Sequence, residues 1–435
     1  MTLTATRFYR NTIVFLLALP VFFFFNNGCN TSPKTKKNVT ADSIAIINLP
    51  NPEKITAAEA DKIKLACQAW YDTVLMQKGF NGGMIVAKNG NIVFEKYVGT
   101  GHLPGSDVIT DSTPMHIASI SKTFTAMAVL KLMQDGKLNI DDEFSRYFPA
   151  FNYPGITIRC LLNHRSGLPN YNYFMETLGW DKTRFVRNED VLDYLITRKA
   201  ELPDITPPNT HFSYCNTNYA LLALLIEKIT GFKYADYMSR NFFKPLQMKH
   251  TYVFSLADTL KAIPSYNWRG TAEAFTFLDQ VYGDKNIYTT PQDLLTWDRA
   301  LSTNLLFSPE TLDQAYAPYS NEKPGQHNYG LGWRMNIFAD GNKIIYHNGW
   351  WHGSNAAFIR LLKEKATIIL IGNRFTRSVY HAKVLTSIFG DYYLPAEEEE
   401  SISKDSVRSA TALVKNDTLL IKPAKKDVKR KKGKN

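Results

Sequence analysis

The sequence predicts an α/β (α+β) fold, an antiparallel sheet flanked by helices with an inserted, mostly helical second lobe. Three observations predict it. Period-two apolar segments stand near both ends of the body, apolar residues at helical spacing lie beside them, and the middle is loops and helices. Strands that meet from both ends of a chain around a helical insertion give two lobes with a cleft between them, where a ligand site is expected.

The elements follow in order. Residues 56–78 read as a helix, with Ile63, Leu65, Ala66, Ala69, Trp70, Val74 and Leu75 at helical spacing. The period then changes, and 82–87 and 92–97 flank Asn89-Gly90, a tight-hairpin signal because such turns need positive φ. Residues 119–134 read as an amphipathic helix stopped at Gly136. Between 140 and 280 the clearest helix is 218–230, ended by Gly231. Strand character returns at 343–347, 355–362 and 367–372, the last two joined by Lys363-Glu364-Lys365-Ala366, which suits an antiparallel hairpin. Helical spacing resumes at 379–389. The domain is therefore expected over 42–394, its sheet lobe at 42–140 and 285–394 and its helical lobe at 141–284.

The chain has 435 residues, 44% hydrophobic and 21% charged, an ordinary globular mixture for one large domain or two intimate ones. Its net charge of +11 is carried at the ends. Residues 1–40 hold Arg7, Arg10, Lys34, Lys36 and Lys37 and no acid, and a lysine-rich run follows Lys422. The body between them is near neutral, so no nucleic-acid groove is indicated.

The start of the chain reads as an export signal over 1–29. Two arginines precede an apolar run at 13–25, long enough for a signal peptide and short of the roughly 20 residues a span needs. It ends at Gly28-Cys29, which resembles a bacterial lipoprotein cleavage site, although Asn26 stands where leucine is usual. Lipidation of Cys29 is expected, with 30–41 as a flexible tether and the protein held on a Gram-negative membrane, facing the periplasm. Residues 395–435 read as a charged, disordered tail. Cys67, Cys160 and Cys215 match no metal spacing and read as small buried residues.

Chemistry first shows at Ser119-Ile120-Ser121-Lys122. Ser401-Ile402-Ser403-Lys404 repeats the pattern, but among acids and without an apolar helix behind it. In the first copy a three-residue offset puts serine and lysine on one face of a helix start, where the amine can take the hydroxyl proton and backbone N–H groups can meet an oxyanion. Three further segments stand at suggestive positions: Leu161 to Pro169 (LLNHRSGLP), Tyr214-Cys215-Asn216, and His347-Asn348-Gly349 with Gly353 beyond.

Together these motifs resemble the penicillin-recognising serine hydrolases, particularly the class C β-lactamase-related branch with its esterases and D-peptidases. The resemblance runs from about Phe80 to about Phe389. It implies a β-lactamase/transpeptidase-like fold and an acyl-enzyme mechanism without cofactor or metal. Ser119 would be the nucleophile, Lys122 its activator and Tyr214 the second base or proton relay. Asn216 would hydrogen-bond Lys122 or the substrate, His347 and Gly349 would line the substrate strand, and the N–H groups of Ser119 and Trp350 would hold the oxyanion. His164 and Ser166 would support the site without taking part in the chemistry. Substrates would be small molecules or peptides, peptidoglycan fragments among them. The alternative is a non-catalytic envelope protein that binds peptidoglycan or peptide through an inherited cleft.

The departures bear on substrate. His347 stands where many β-lactamases carry lysine, Arg165 where threonine is usual, and Cys215 where serine or alanine is usual, which argues against potent β-lactamase activity. An imidazole titrating near ~6.5 gives a carboxylate little attraction at neutral pH. Carboxylate-bearing substrates are therefore expected to gain as pH falls toward 6, unless Arg334, Arg360 or Arg374 supplies the charge.

Overall fold

The computed structural model of the protein describes residues 44–322 and 325–392. The expected signal peptide, Cys29, the tether, the tail and the second Ser-x-x-Lys lie outside the described residues.

The chain opens with α1 (Ala57–Trp70), started by Thr56, whose hydroxyl accepts the Glu59 N–H at 3.3 Å. Helical winding continues as a π turn, Tyr71–Leu75, and a 3₁₀ turn, Met76–Lys78. The hairpin β1 (Gly82–Lys88) and β2 (Asn91–Val98) turns through Asn89 and Gly90 at φ 53° and 78°, the mirror-image turn that suits the strands' twist. After β3 (Met115–His116) comes α2 (Ser121–Gln134).

The middle segment supplies α3 (Ile158–Leu162), α4 (Tyr171–Thr177), α5 (Asn188–Thr197), α6 (Asn216–Thr230), α7 (Tyr234–Met238) and β4 (Tyr252–Val253). Then follow β5 (Ile287–Thr289), α8 (Pro291–Leu301), α9 (Pro309–Ala315), β6 (His327–Tyr329) and β7 (Arg334–Ile337). The last strands are β8 (Lys343–Trp351), β9 (Ser354–Leu361) and β10 (Ala366–Gly372), before a 3₁₀ helix, Arg377–Ile388.

Seven strands form one antiparallel sheet in the order β2-β1-β10-β9-β8-β7-β6, and β3-β5-β4 form a small second sheet. The first hairpin is stitched to the last strand, Gly82 opposite Gly372 through Lys88 opposite Ala366. Period-two alternation splits the core. Met84, Val86, Ile368 and Leu370 pack against Ile63, Cys67 and Leu75 and against Val379 and Leu385 of the terminal 3₁₀ helix. Ile85, Ala87, Ile369 and Ile371 face the other way, onto Phe124, Val129 and Trp297. The result is helices on both faces of an antiparallel sheet, with the helical insertion beyond.

One expectation changes. Helix α2 was read as amphipathic, yet every residue from Ser121 to Leu130 is buried. The sheet covers one side and the inserted helices the other, so no solvent face remains. Phe124 stacks on Trp297 of α8 at 4.6 Å between ring centroids.

Candidate active site

Ser119 sits in a 3₁₀ turn, Ala118–Ile120, just ahead of α2. Ala118 before it has φ 46°, a left-handed conformation that costs a residue with a Cβ about 1 kcal/mol or more. The turn is held there by its surroundings and presents a half-buried serine at the cleft.

Lys122 is on the first turn of α2 and fully buried. Its Nζ donates to Ser119 Oγ at 3.1 Å and to the Asp284 carbonyl at 2.8 Å, so the amine is aimed from two sides. It also lies 5.0 Å from the centre of the Tyr214 ring and 5.7 Å from that of Tyr219.

Strand β8 forms the opposite wall. Its pairing with β7 stops at Tyr346, while β9 accompanies it to Trp351. The stretch from His347 to Trp351 therefore has a strand on one side only, and the serine turn abuts the other. A Cβ on Gly349 would lie 2.1 Å from the Ile117 carbonyl oxygen, so only glycine permits this approach. Trp350 is the next residue along.

A Ser-x-x-Lys joined by a hydrogen bond and set against the bare edge of a His-x-Gly strand now has its geometry. The profile of the beta-lactamase family matches residues 68–389. The chain belongs to the beta-lactamase family. Penicillin-binding protein 4* of Bacillus subtilis (strain 168) is 28% identical over 364 residues, spanning 79% of this chain and 80% of that one. Two crystal structures share the fold. The penicillin binding protein from Bacillus halodurans has a TM-score of 0.64 at 24% identity, over 72% of this chain and 98% of that chain. D-amino acid amidase from Ochrobactrum anthropi SV3, complexed with L-phenylalanine amide, has a TM-score of 0.61 at 20% identity, over 80% of this chain and all of that one. The wider superfamily includes serine hydrolases acting on amide and ester bonds.

Within this beta-lactamase-family chain the remaining residues divide. Tyr214, in the extended segment before α6, brings its ring to the cleft between Lys122 and the Arg334 guanidinium, 4.9 Å from the ring centre. His164 packs on the same ring at 4.4 Å, accepts the Cys215 N–H at 3.2 Å on Nδ1, and lies 3.3 Å from the Asn218 amide. Ser166 donates to Asn218 Oδ1 at 2.7 Å. Both residues thus tie their loop to the start of α6. Asn216 makes no hydrogen bond to Lys122. Its amide donates to Asn172 Oδ1 at 3.3 Å, and its own Oδ1 is buried with no hydrogen-bond partner among the described residues. The place expected for Asn216 is taken by the Asp284 carbonyl.

His347 is buried, with Nδ1 2.7 Å from the Asn348 carbonyl and Nε2 3.3 Å from the Tyr329 hydroxyl. Burial, then the positive charges of Arg334 and Lys122, hold this imidazole well below its usual range. That direction runs against the gain of charge on acidification expected of His347. Of the three arginines, Arg360 is buried and bonded to Asp298 at 2.5 Å, and Arg374 donates to the Trp268 carbonyl at 2.9 Å. Arg334, on the strand beside β8, is the one that reaches the cleft.

Asp284, Tyr171 and Tyr329 went unread in the sequence. Asp284 Oδ2 accepts from the Tyr171 hydroxyl at 2.9 Å and lies 3.6 Å from Lys285 Nζ, which fixes the loop whose carbonyl holds Lys122. The signal available was Asp284-Lys285, adjacent opposite charges leading into the apolar pair Ile287-Tyr288. Cys67, Cys160 and Cys215 are free and buried. Among the described residues no cluster of three His, Cys, Asp or Glu side chains is arranged to hold a metal ion.

Proposed function

We propose that this protein is a serine hydrolase that works through an acyl-enzyme on amide or ester bonds. Its substrates would be cell-envelope peptides of the D-amino acid kind or simple esters, with weak or no turnover of β-lactams. The observation that carries the reading is the 3.1 Å bond from a doubly anchored Lys122 to Ser119, in a strained turn facing the bare edge of β8. Lys122 takes the Ser119 proton as Oγ adds to the substrate carbonyl. The N–H groups of Ser119 and Trp350 receive the oxyanion. Tyr214 passes the proton to the leaving amine or alcohol, whose bond to the acyl carbon breaks. Water then repeats the addition and frees Ser119.

Substrate choice turns on where charge lies. A neutral His347 donates or accepts hydrogen bonds, while Arg334 offers a charge that does not titrate. Selectivity between a carboxylate-bearing and a neutral substrate should therefore be flat from pH 5.5 to 8. Arg334→Met should erode it about tenfold through KM.

Fluorophosphonate labelling tests the nucleophile. Ser119→Ala should abolish labelling and turnover, whereas Ser401→Ala should alter neither. Labelling retained by the Ser119→Ala protein overturns the assignment. We also infer a lipid anchor on Cys29 with the body facing the periplasm, supported by the apolar run ending at Gly28-Cys29. Mass spectrometry of the mature N-terminus decides this, since an unmodified start elsewhere refutes it.

A further inference from the structure

A cavity of about 220 Å³ opens beyond the far end of β8. At about 30 Å³ per water it has room for some seven waters, or one small organic group. Trp351 and His352 line it, and so does His116, three residues before Ser119. His352 is two residues past Trp350, in the turn that follows β8, so the cavity adjoins the end of the strand that carries the expected oxyanion donor.

Its lining combines two carboxyl groups, three imidazoles and an aromatic wall. The floor is Asp279, buried, accepting from Trp351 Nε1 at 2.5 Å and lying 3.1 Å from His352 Nε2. Burial works against the charge of Asp279. The His352 hydrogen bond and charge, the Thr276 N–H and the Lys285 charge outweigh it and leave the carboxyl below its ordinary range. Beside it His116 is pushed down to about 3 by burial and is neutral, its Nε2 accepting the Asn286 N–H at 3.3 Å.

One wall is aromatic throughout. Phe275 stacks on Phe254 at 5.2 Å, Phe254 meets Tyr288 at 5.4 Å, and Tyr288 stacks on His116 at 5.0 Å. Glu273 stands half-buried in the lining and has no ion-pair partner among the described residues. Among the described residues no lysine or arginine lines the space, and the lining histidines His102 and His352 are held by Asp107 at 2.7 Å and Asp279 at 3.1 Å. The nearby cations are committed elsewhere: Lys285 lies against the Trp351 ring beside Asp284, and Lys261 pairs with Asp258 at 2.7 Å.

A spare carboxylate, an ionised floor and a stacked aromatic wall make a site for an organic cation, attracted by charge and by ring faces. We propose that this cavity binds an ammonium group carried on the acyl side of the substrate. The proposal rests on the reading of Ser119 as nucleophile. It adds that the acyl portion is selected for positive charge while Arg334 faces the cleft around Tyr214.

The test uses three 4-nitrophenyl esters: 5-(trimethylammonio)pentanoate, its neutral isostere 6,6-dimethylheptanoate, and the monoester of adipate. The natural protein should use the cationic ester about tenfold better in kcat/KM than the isostere, and the adipate ester worst. Glu273→Gln should bring the first two within about twofold, by lowering kcat/KM for the cationic ester. Equal use of the first two esters by the natural protein overturns the pocket and leaves Ser119 standing, as does a preference that survives Glu273→Gln. Calorimetry with benzyltrimethylammonium on Ser119→Ala protein reads the pocket without turnover. Saturable binding that weakens about tenfold with Glu273→Gln supports it even if no ester is hydrolysed, and the absence of saturable binding overturns it.

Discussion

Tyr214 and Lys122 touch through a ring face, and that contact separates their contributions. Tyr214→Phe keeps the ring against Lys122, His164 and Arg334 and removes only the hydroxyl. It should lower kcat about 100-fold or more with little change in KM or in thermal midpoint, since a positioned acid–base group contributes about 10²–10⁴. Full activity in this variant makes Tyr214 a packing residue. Lys122→Met should cost as much in rate, and should also destabilise, because the Asp284 carbonyl loses its buried donor. Single residues were legible in the sequence where a motif stood in the right setting, as at Ser119, which a helix follows. Asp284 was not, because its part is played by a backbone carbonyl that any residue would have. Arg334 became meaningful only when the register of β7 against β8, Arg334 opposite Tyr346, brought it to the cleft.

At the scale of elements, the working surface is one strand edge and one turn in near contact. Gly349→Ala should lower the rate of acylation about 100-fold, because a Cβ 2.1 Å from the Ile117 oxygen forces β8 and the serine turn apart. The expected readout is slower fluorophosphonate labelling in a protein that still unfolds cooperatively, and unchanged labelling removes Gly349 from the site's geometry. The long strands β1, β2, β9 and β10 were readable from their apolar or alternating runs, whereas β8 was read only over 343–347 and continues through Asn348-Gly349 to Trp351, where polar and glycine residues end the apolar run. Strands β6 and β7 were missed, being three and four residues long and carrying His327, Asn328, Arg334 and Asn336. The two-residue strands β3 and β4 leave no period to detect. Residues 377–388 kept the expected helical character but wind as a 3₁₀ helix, a difference that apolar spacing does not resolve over so short a run.

The molecule as a whole encloses His116, His164 and His347, each held neutral chiefly by burial. An unfolded imidazole titrates near ~6.5, so above that pH neither state binds the proton and stability is at its full value. Below it the unfolded chain takes up protons that the folded chain refuses. Stability then falls by up to about 1.4 kcal/mol per pH unit for each imidazole, until the folded group titrates in turn. The urea midpoint should accordingly drop between pH 6.5 and 5, and a flat midpoint over that range refutes the burial argument. Closure of the sheet carries a consequence in time. Strand β1 emerges from the ribosome early, yet its second partner β10 lies roughly 290 residues later. At about 5–20 residues per second that interval is on the order of 15–60 s, during which one apolar edge of the hairpin has nothing to pair with. A chain shortened by a few residues before Gly372 should therefore fail all at once, as aggregate, with no gradual loss of stability to announce it.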